Sequence, residues 1–248
     1  MRLLSTIAIS VCALFAASTA QAQWTGKAEL GIQVSDGNSE STSANTKFDL
    51  AHENDKWKHA IYVGALYGKN ATFVTAERYE ARYQADYKIT DRLSWFGALR
   101  GEKDSFSGFV YQATVSTGVG YKFIDNPTTK FSGSLGAGYR TLKEEVLIKT
   151  DAGEVIDRIE GESQSDPVIT LGSLFEHNFN ETTKITNKLL AESGSDNTAV
   201  QDDISLQVSM TDTLALAVGF GVRYNTDPPP LSETTDLLTT VNLVYNIK

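Results

Sequence analysis

The sequence has almost no cysteine and few prolines. Cys12 is the one cysteine among 248 residues, so a disulfide framework within the chain and a metal site built from several thiolates are both excluded. Five prolines and a hydrophobic fraction of 41% do not match the composition of a disordered chain. We therefore expect a folded domain that is held together by packing and hydrogen bonds.

Cations are in deficit, with 22 Lys and Arg against 31 Asp and Glu and a formal net charge of -9. A general nucleic-acid binder needs surplus cations to displace counterions from phosphates, so we expect no nucleic acid among the partners. The three histidines form no H-E-x-x-H motif, and no Gly-rich phosphate loop opens a helix. We predict a protein that is not an enzyme, with no catalytic residues, no cofactor and no metal site.

Long apolar runs are absent after the first 22 residues. Arg2 precedes an apolar segment over 3–17, and Ala20-Gln21-Ala22 resembles a cleavage site. That length suits a signal peptide and is too short for a membrane-spanning helix. Cys12 lies inside the apolar segment, so no lipid anchor is predicted. We expect residues 1–22 to be a signal peptide and residues 23–248 to be one exported domain.

Strict two-residue alternation dominates the remaining sequence. Between Arg78 and Tyr87, apolar and aromatic residues occupy one parity and charged or amide residues occupy the other. Period two over about ten residues is typical of a strand with one apolar and one polar face. Twelve such strands are predicted, at 24–34, 42–53, 57–68, 74–89, 93–102, 110–123, 130–142, 167–179, 183–192, 200–210, 214–225 and 235–247.

Short and long connections alternate between these segments. Three residues connect 53 to 57, whereas we predict a long loop over Lys143–Asp166, with a hairpin extension at Val146–Ile159 as the alternative. This alternation indicates an up-and-down antiparallel meander. A soluble sandwich or barrel competes, but the predicted strands match the 9–11 residues that cross a membrane rather than ordinary soluble strands. The predicted fold is all-β, a single transmembrane antiparallel up-and-down β-barrel of about 12 strands.

Aromatic residues cluster at both ends of the predicted strands, with Ala, Val, Leu and Ile between them. Two aromatic belts around an aliphatic band are typical of the two water–lipid interfaces. We therefore expect a bacterial outer-membrane protein that contacts outer-membrane lipid and lipopolysaccharide and is inserted by the barrel-assembly machinery. The predicted aromatic girdle includes Trp57, Tyr87, Trp95, Tyr121, Tyr139 and Tyr245.

The polar parity places twelve cations and eight anions inside the predicted barrel, a surplus of four positive charges. Two functions follow: a narrow water-filled pore with mild anion preference, or a self-neutralising lattice of ion pairs that conducts nothing. Twelve strands lie between a filled barrel and an open channel, and inward glycines such as Gly118 and Gly136 would leave room. The charges predicted to line the lumen include Arg78, Glu80, Arg82, Asp86, Arg100 and Arg140.

Two further hypotheses remain open. Ser173 and His177 share the apolar parity of one predicted strand, which leaves a membrane-embedded lipid hydrolase as a second alternative. The acidic stretch 150–166 could bind divalent cations that bridge to lipopolysaccharide phosphates, although a solvated acidic loop is the simpler interpretation. His59 and His177 follow the parity of aromatic neighbours, and we predict both to belong to the girdle.

The segment from Gly31 to His59 resembles the YdiY-like salt-induced outer-membrane proteins, a β-barrel family of unknown function. The resemblance rests on a G-N-S turn, a Ser/Thr-rich strand and a D-K-W motif, and it extends to repeats at Gly118–Tyr121 and Gly136–Tyr139 and to the ending Val241–Tyr245. It implies an outer-membrane barrel linked to salt stress, without an identified active site. Such barrels usually end in an aromatic residue, whereas this chain ends in Lys248, which affects recognition by the insertion machinery.

Overall fold

The computed structural model describes residues 23–35, 41–150, 153–230 and 232–247. The predicted signal peptide and the G-N-S turn lie outside the described residues. The described residues form twelve strands: β1 (Gln23–Ser35), β2 (Ser41–Glu53), β3 (Trp57–Asn70), β4 (Val74–Lys88), β5 (Leu93–Asp104), β6 (Phe109–Asp125), β7 (Thr129–Lys149), β8 (Val155–Asn178), β9 (Thr183–Ser193), β10 (Thr198–Ser209), β11 (Leu214–Asn225) and β12 (Thr235–Ile247). They contain no helix that is long and apolar enough to span a membrane.

Each strand pairs antiparallel with its chain neighbours, and β1 pairs with β12 to close the barrel. The closing register runs from Gly26 opposite Ile247 to Gly31 opposite Asn242. This closing ladder joins six residues of each end strand. Closure is the form in which a sheet can cross hydrocarbon, because it pairs the backbone groups of its end strands. The predicted fold, a closed up-and-down barrel of twelve strands, is confirmed.

The short turns are built by one recurring device. At the β2–β3 turn, Asn54 Oδ1 accepts hydrogen bonds from the backbone N–H groups of Lys56 and Trp57, at 3.0 and 2.8 Å. Asn126 and Asn180 accept equivalent pairs of bonds, and the hydroxyl groups of Thr90 and Thr211 do the same at two further turns. Asn and Thr favour such turns because their side chains satisfy nearby backbone donors.

The barrel has apolar side chains on its outside and charged side chains on its inside, which is the opposite of a soluble protein. Leu99 and Val115 point outward and are 55% and 53% exposed, whereas Glu80 and Arg140 point inward and are 5% and 1% exposed. The apolar parity therefore faces outward and the polar parity faces the lumen. A continuous outward apolar surface matches a lipid environment, whereas a soluble barrel would bury that surface.

The predicted loop at Lys143–Asp166 is wrong for most of its length, and its alternative, a hairpin extension, is what the structure contains. β7 continues to Lys149 and β8 begins at Val155, with Val146 opposite Ile159. The register shifts between Lys143 and Glu145. This bulge reverses the parity of the following residues, so the two-residue pattern breaks and the sequence resembles a loop.

The extended part of this hairpin leans over the barrel mouth. Arg158 Nη1 pairs with Glu145 Oε1 at 2.7 Å and donates to the backbone oxygen of Ser105 at 2.9 Å. Leu147 is fully buried and Phe109 is 2% exposed. The hairpin is therefore packed against the β5–β6 connection.

A second long connection also packs at this mouth. Gly108 has a φ of +80°, and a Cβ there would lie 3.0 Å from Pro229 Cγ, so the β5–β6 and β11–β12 connections touch. On the hairpin, the Lys143 ammonium lowers the pKa of the exposed Glu160 carboxyl through a hydrogen bond and its charge. The long connections thus pack together at one end of the barrel.

Candidate functional site in the barrel lumen

A network of ion pairs, the lumen lattice, occupies the interior. Among the described residues it joins four guanidinium groups to four carboxylates: Arg78, Arg82, Arg100 and Arg223 with Glu80, Glu102, Asp104 and Glu192. Within it, Arg100 contacts Glu80 at 3.2 Å, Glu192 at 2.9 Å and also Glu102. Four positive and four negative groups make the lattice neutral.

The lattice reaches from one wall of the barrel to the other. Arg223 on β11 binds Glu80 on β4 at 3.4 Å and Glu102 on β5 at 3.2 Å. Gln201 on β10 accepts a hydrogen bond from Arg82 at 2.6 Å and donates one to Glu102 at 3.2 Å. In the closed strand order, β4 and β10 lie six strands apart, as do β5 and β11, so these bonds cross the lumen.

The lattice is shielded from solvent. Arg100 is 9% exposed, Glu80 5% and Glu102 8%. The Arg82 guanidinium also lies 5.2 Å from the centre of the Tyr62 ring, close enough for a cation–π contact. Charges buried to this degree are stable only when paired, because removing one partner costs about 3–5 kcal/mol.

Phe96 fills the space at Gly136, one of the glycines that we expected to leave room. Phe96 lies opposite Gly118, which in turn lies opposite Gly136. A Cβ at Gly136 would stand 2.9 Å from Phe96 Cζ, and the Phe96 side chain is 4% exposed. Gly136 therefore makes room for an aromatic ring, and the Phe96 side chain fills the space that we expected this glycine to leave open.

A small cavity of about 60 Å³ lies beside the lattice. At about 10–15 Å³ for each water centre, it has room for on the order of four to six waters. Lys47, Asp203 and Asp236 are among the residues that line it, together with Tyr62 and Glu80. The cavity is lined by both charged and apolar residues, and it is much smaller than a solute-conducting channel.

Two further groups of contacts brace the lumen. Lys27 Nζ pairs with Glu29 Oε1 at 2.5 Å, and Asn242 donates to Glu29 Oε2 at 2.9 Å while accepting from Asn45 at 3.0 Å. Lys188 on β9 pairs with Asp49 on β2 at 2.9 Å. Since β2 and β9 lie on different sides of the barrel, this pair also crosses the interior.

All six charges that the sequence placed in the lumen have inward positions in the barrel, but only some of them meet. Arg78, Glu80, Arg82 and Arg100 belong to the lattice. Asp86 instead accepts a hydrogen bond from Gln84 at 2.8 Å. Arg140 pairs with Asp166 at 3.2 Å near the long connections. Their functional role remains a prediction.

Sequence reasoning missed Glu102 and Asp104. The predicted strand ends at 102 and Glu102 is not among the charges predicted to line the lumen, whereas β5 continues to Asp104. Both carboxylates are buried, at 8% and 5% exposure. They follow Arg100 by two and four residues and share its inward parity, so extending the alternation past residue 102 would have predicted both. The two extra anions reduce the expected positive surplus, and the lattice itself has none.

The six aromatic residues proposed for the girdle lie on the outer face with exposures from 40% to 54%: Trp57, Tyr87, Trp95, Tyr121, Tyr139 and Tyr245. Near the short turns, rings form two runs of contacts, such as Trp57 with Tyr87 at 5.1 Å and Tyr121 with Phe123 at 5.2 Å between centroids. His59 stacks 5.8 Å from Trp57. Anchoring in a lipid interface remains a prediction for these residues.

The residues of the lipid-hydrolase alternative are not assembled. His177 Nδ1 lies 2.8 Å from Thr129 Oγ1. Ser173 is four residues away on the same strand, a separation of about 13 Å in extended chain. A serine and histidine at that distance cannot exchange a proton directly. Among the described residues, no group of three or more His, Cys, Asp or Glu side chains could hold a metal ion.

Several known proteins are similar to this chain. The family described as "Protein of unknown function, DUF481" matches residues 28–247. The chain is 21% identical over 231 residues to the uncharacterized protein YdiY of Escherichia coli K12, covering 93% of this chain and 86% of that protein. It resembles the solved NanC porin with a TM-score of 0.51 at 10% identity, covering 90% and 100% of the two chains. A COG4313 outer membrane channel from Pseudomonas putida F1 gives 0.49 at 8% identity, with 93% and 97% covered.

Proposed function

Because the chain belongs to the DUF481 family, whose function is unknown, we propose a function from the barrel itself. The protein is a non-enzymatic bacterial outer-membrane barrel whose lumen is closed at rest by the lumen lattice. The observation that carries this proposal is the set of bonds from Arg223 and Gln201 to Glu102 on the opposite wall.

Membrane insertion is supported by the outer surface. Apolar side chains surround the barrel, and aromatic rings gather near the short turns, where a lipid interface would lie. In this proposal outer-membrane lipid and lipopolysaccharide contact the outward side chains, and the barrel-assembly machinery inserts the chain. Divalent cations at the acidic hairpin are not needed for the proposal.

Closure follows from the energetics of buried charge. A passing hydrated ion would have to displace Arg100 or Arg223 from carboxylates that have little access to water, and each broken pair leaves an uncompensated buried charge. The lattice itself has no net charge, so it adds no long-range attraction for an ion of either sign that would compensate that cost. A neutral, cross-linked interior therefore resists conduction.

Planar-bilayer recording of the full-length folded protein tests this proposal. We expect no conductance steps from the natural protein, and steps from the double variant Arg100→Ala/Glu102→Ala, which removes one charge of each sign and opens the lattice. The control Lys143→Ala/Glu160→Ala removes an exposed pair on the hairpin, outside the lumen, and should stay silent. Regular steps from the natural protein would contradict closure.

A narrow pore for water and small ions is the second candidate, and it is favoured by the cavity beside the lattice, which has room for a few waters and has charged residues in its lining. Regular steps from the natural protein would be its signature. Ion preference should then be weak because the lattice is neutral, and Arg82→Glu should shift reversal potentials in a salt gradient toward cations. Reversal potentials that stay unchanged would assign selectivity to the acidic connections at the mouth.

A link to salt stress follows from the family resemblance, so we treat envelope adaptation as the physiological setting of the proposal. Growth of a deletion strain at high salt, with and without the natural gene, measures that link. The absence of catalysis is measured separately, by lipid hydrolysis in vesicles. Hydrolysis that disappears in Ser173→Ala would contradict a non-enzymatic barrel.

A further inference from the structure

The outward face of β9 and β10 contains a carboxylate where apolar side chains are expected. Asp202 has the outward parity of Ile204 and Leu206, which are 40% and 42% exposed, and not the inward parity of buried Gln201. Asn187 on β9 donates a hydrogen bond to Asp202 Oδ1. A polar pair therefore lies on the side of the wall that faces lipid in the proposed function.

The pair lies between the two ends of the apolar band. Asp202 is opposite Leu189 on β9 and Val222 on β11. Two residues along β10, Val200 is opposite Tyr224, toward the long connections, whereas Asn187 is opposite Phe175, toward the short turns. Apolar side chains thus flank the pair along both strands.

Lipid cannot satisfy these groups. An ionised carboxylate has about four acceptor sites and an amide has two N–H donors. Among the described residues, Asn187 is the one side chain that donates a hydrogen bond to Asp202. An ionisable side chain inside the apolar band of a membrane protein lowers its stability, and such a side chain usually marks a functional contact. The remaining hydrogen-bonding capacity points outward from the barrel.

We propose that the outward face of β9 and β10 is the interface at which two copies of this chain pair in the membrane. An Asn–Asp pair is self-complementary, because each amide has a second N–H and each carboxylate has a second oxygen. Around a two-fold axis along the bilayer normal, corresponding residues of two copies lie at the same depth. Asn187 of each copy then donates its second N–H to the other copy's Asp202, which forms an isologous contact.

Single-cysteine cross-linking tests this interface in intact cells. A full-length chain with Cys12→Ser has no cysteine, so each introduced thiol reports one position. Leu189→Cys and Ile204→Cys lie opposite Asp202 and Asn187 on the paired strands. The matched control, Val63→Cys, is outward and 48% exposed on β3, six strands away from β9. Under oxidation we expect covalent dimer from the first two variants and little from the control.

A second set of variants tests the contribution of the Asn187–Asp202 pair to the interface separately from that of the surrounding apolar side chains. Asn187→Leu/Asp202→Leu removes both reciprocal bonds and should lower dimer affinity by about tenfold or more. Asp202→Asn keeps one acceptor oxygen and the shape of the side chain but replaces the second oxygen with an N–H donor, so it should weaken the dimer by a smaller factor than the double Leu variant. Heat-dependent migration on gels shows whether each variant has folded. If the wall simply faces lipid, the double Leu variant will fold at least as well and cross-linking will not change.

Several outcomes would overturn the proposal: equal cross-linking at Val63→Cys, no cross-linking at either β9–β10 position, or cross-linking only to a different protein. The inference rests on membrane insertion but not on a closed lumen. If the protein conducts ions and the Leu189→Cys variant still forms a covalent dimer, the closed lumen is contradicted and the dimer interface is not. A chain that does not fractionate with the outer membrane would contradict the proposed function first.

Discussion

On the inward face of the barrel Arg100 contacts three carboxylates, whereas on the outward face Asp202 accepts a hydrogen bond from one neutral amide. The two environments are separated by a single sheet. Inside, opposite walls are close enough to supply compensating charge. Outside, the wall curves away from itself, so compensation has to come from another molecule. The same residue chemistry therefore stabilises the fold on one face and indicates a partner on the other.

Aromatic rings also have different environments on the two faces. Phe96 points inward and is 4% exposed, with space for its ring at Gly136, whereas Trp95 points outward and is 51% exposed. These neighbours in sequence differ only in parity. An aromatic side chain fills the interior at one position and meets the surroundings at the next.

The largest expected effect is inside the lumen. Arg100→Ala leaves Glu80, Glu102 and Glu192 without their shared cation, so we expect the free energy of unfolding to fall by about 3–5 kcal/mol. Urea unfolding of the refolded barrel measures this loss. The control Arg92→Ala removes an exposed guanidinium from a short turn and should change stability little. Equal losses would mean that the lattice does not stabilise the barrel.

A smaller effect should distinguish the two faces of one strand. Val115→Arg puts a charge among outward apolar side chains and should destabilise the membrane-inserted barrel by about 2–4 kcal/mol. Ser116→Arg introduces the same group on the polar inward face and should cost less. Refolding into lipid vesicles at increasing urea compares them. If Ser116→Arg is the more harmful variant, steric crowding beside Phe96 outweighs the lipid penalty.

The smallest effect concerns the hairpin over the mouth. Trypsin added to intact cells should cut first at Lys149, which is exposed near the hairpin tip, and should spare Arg92 in a short turn, since we expect the short turns to face the periplasm. Arg158→Ala removes a partly exposed ion pair and should speed cleavage at Lys149 by about threefold. Mass spectrometry of the fragments identifies the sites. Preferential cleavage at Arg92 would invert the assigned topology.

Much of the fold could be predicted because membrane strands have a simple local rule. The parity of Tyr79, Ala81 and Tyr83 against Glu80 and Arg82 determines their faces without knowledge of the neighbours. Short turns could be located because Asn54 and its equivalents satisfy backbone donors within three residues. Both signals are local in sequence, so they remain visible before any strand is paired.

The candidate site was harder to predict because its contacts are distant in sequence. Glu102 was missed because a strand end is defined by pairing, and its partner Arg223 lies 121 residues away. The hairpin extension was uncertain because the bulge after Lys143 interrupts the alternation. The outward position of Asp202 follows from parity, but its partner Asn187 depends on the register of β9 with β10.

The sequence by itself determined a barrel of twelve amphipathic strands and the faces of the charged side chains well inside those strands, because period-two geometry sorts side chains one strand at a time. Tertiary structure alone decided that β1 closes on β12, that Arg223 and Gln201 reach Glu102 across the lumen, and that Phe96 fills the space at Gly136. Those contacts depend on barrel radius and strand stagger, which arise only when all twelve strands pair at once.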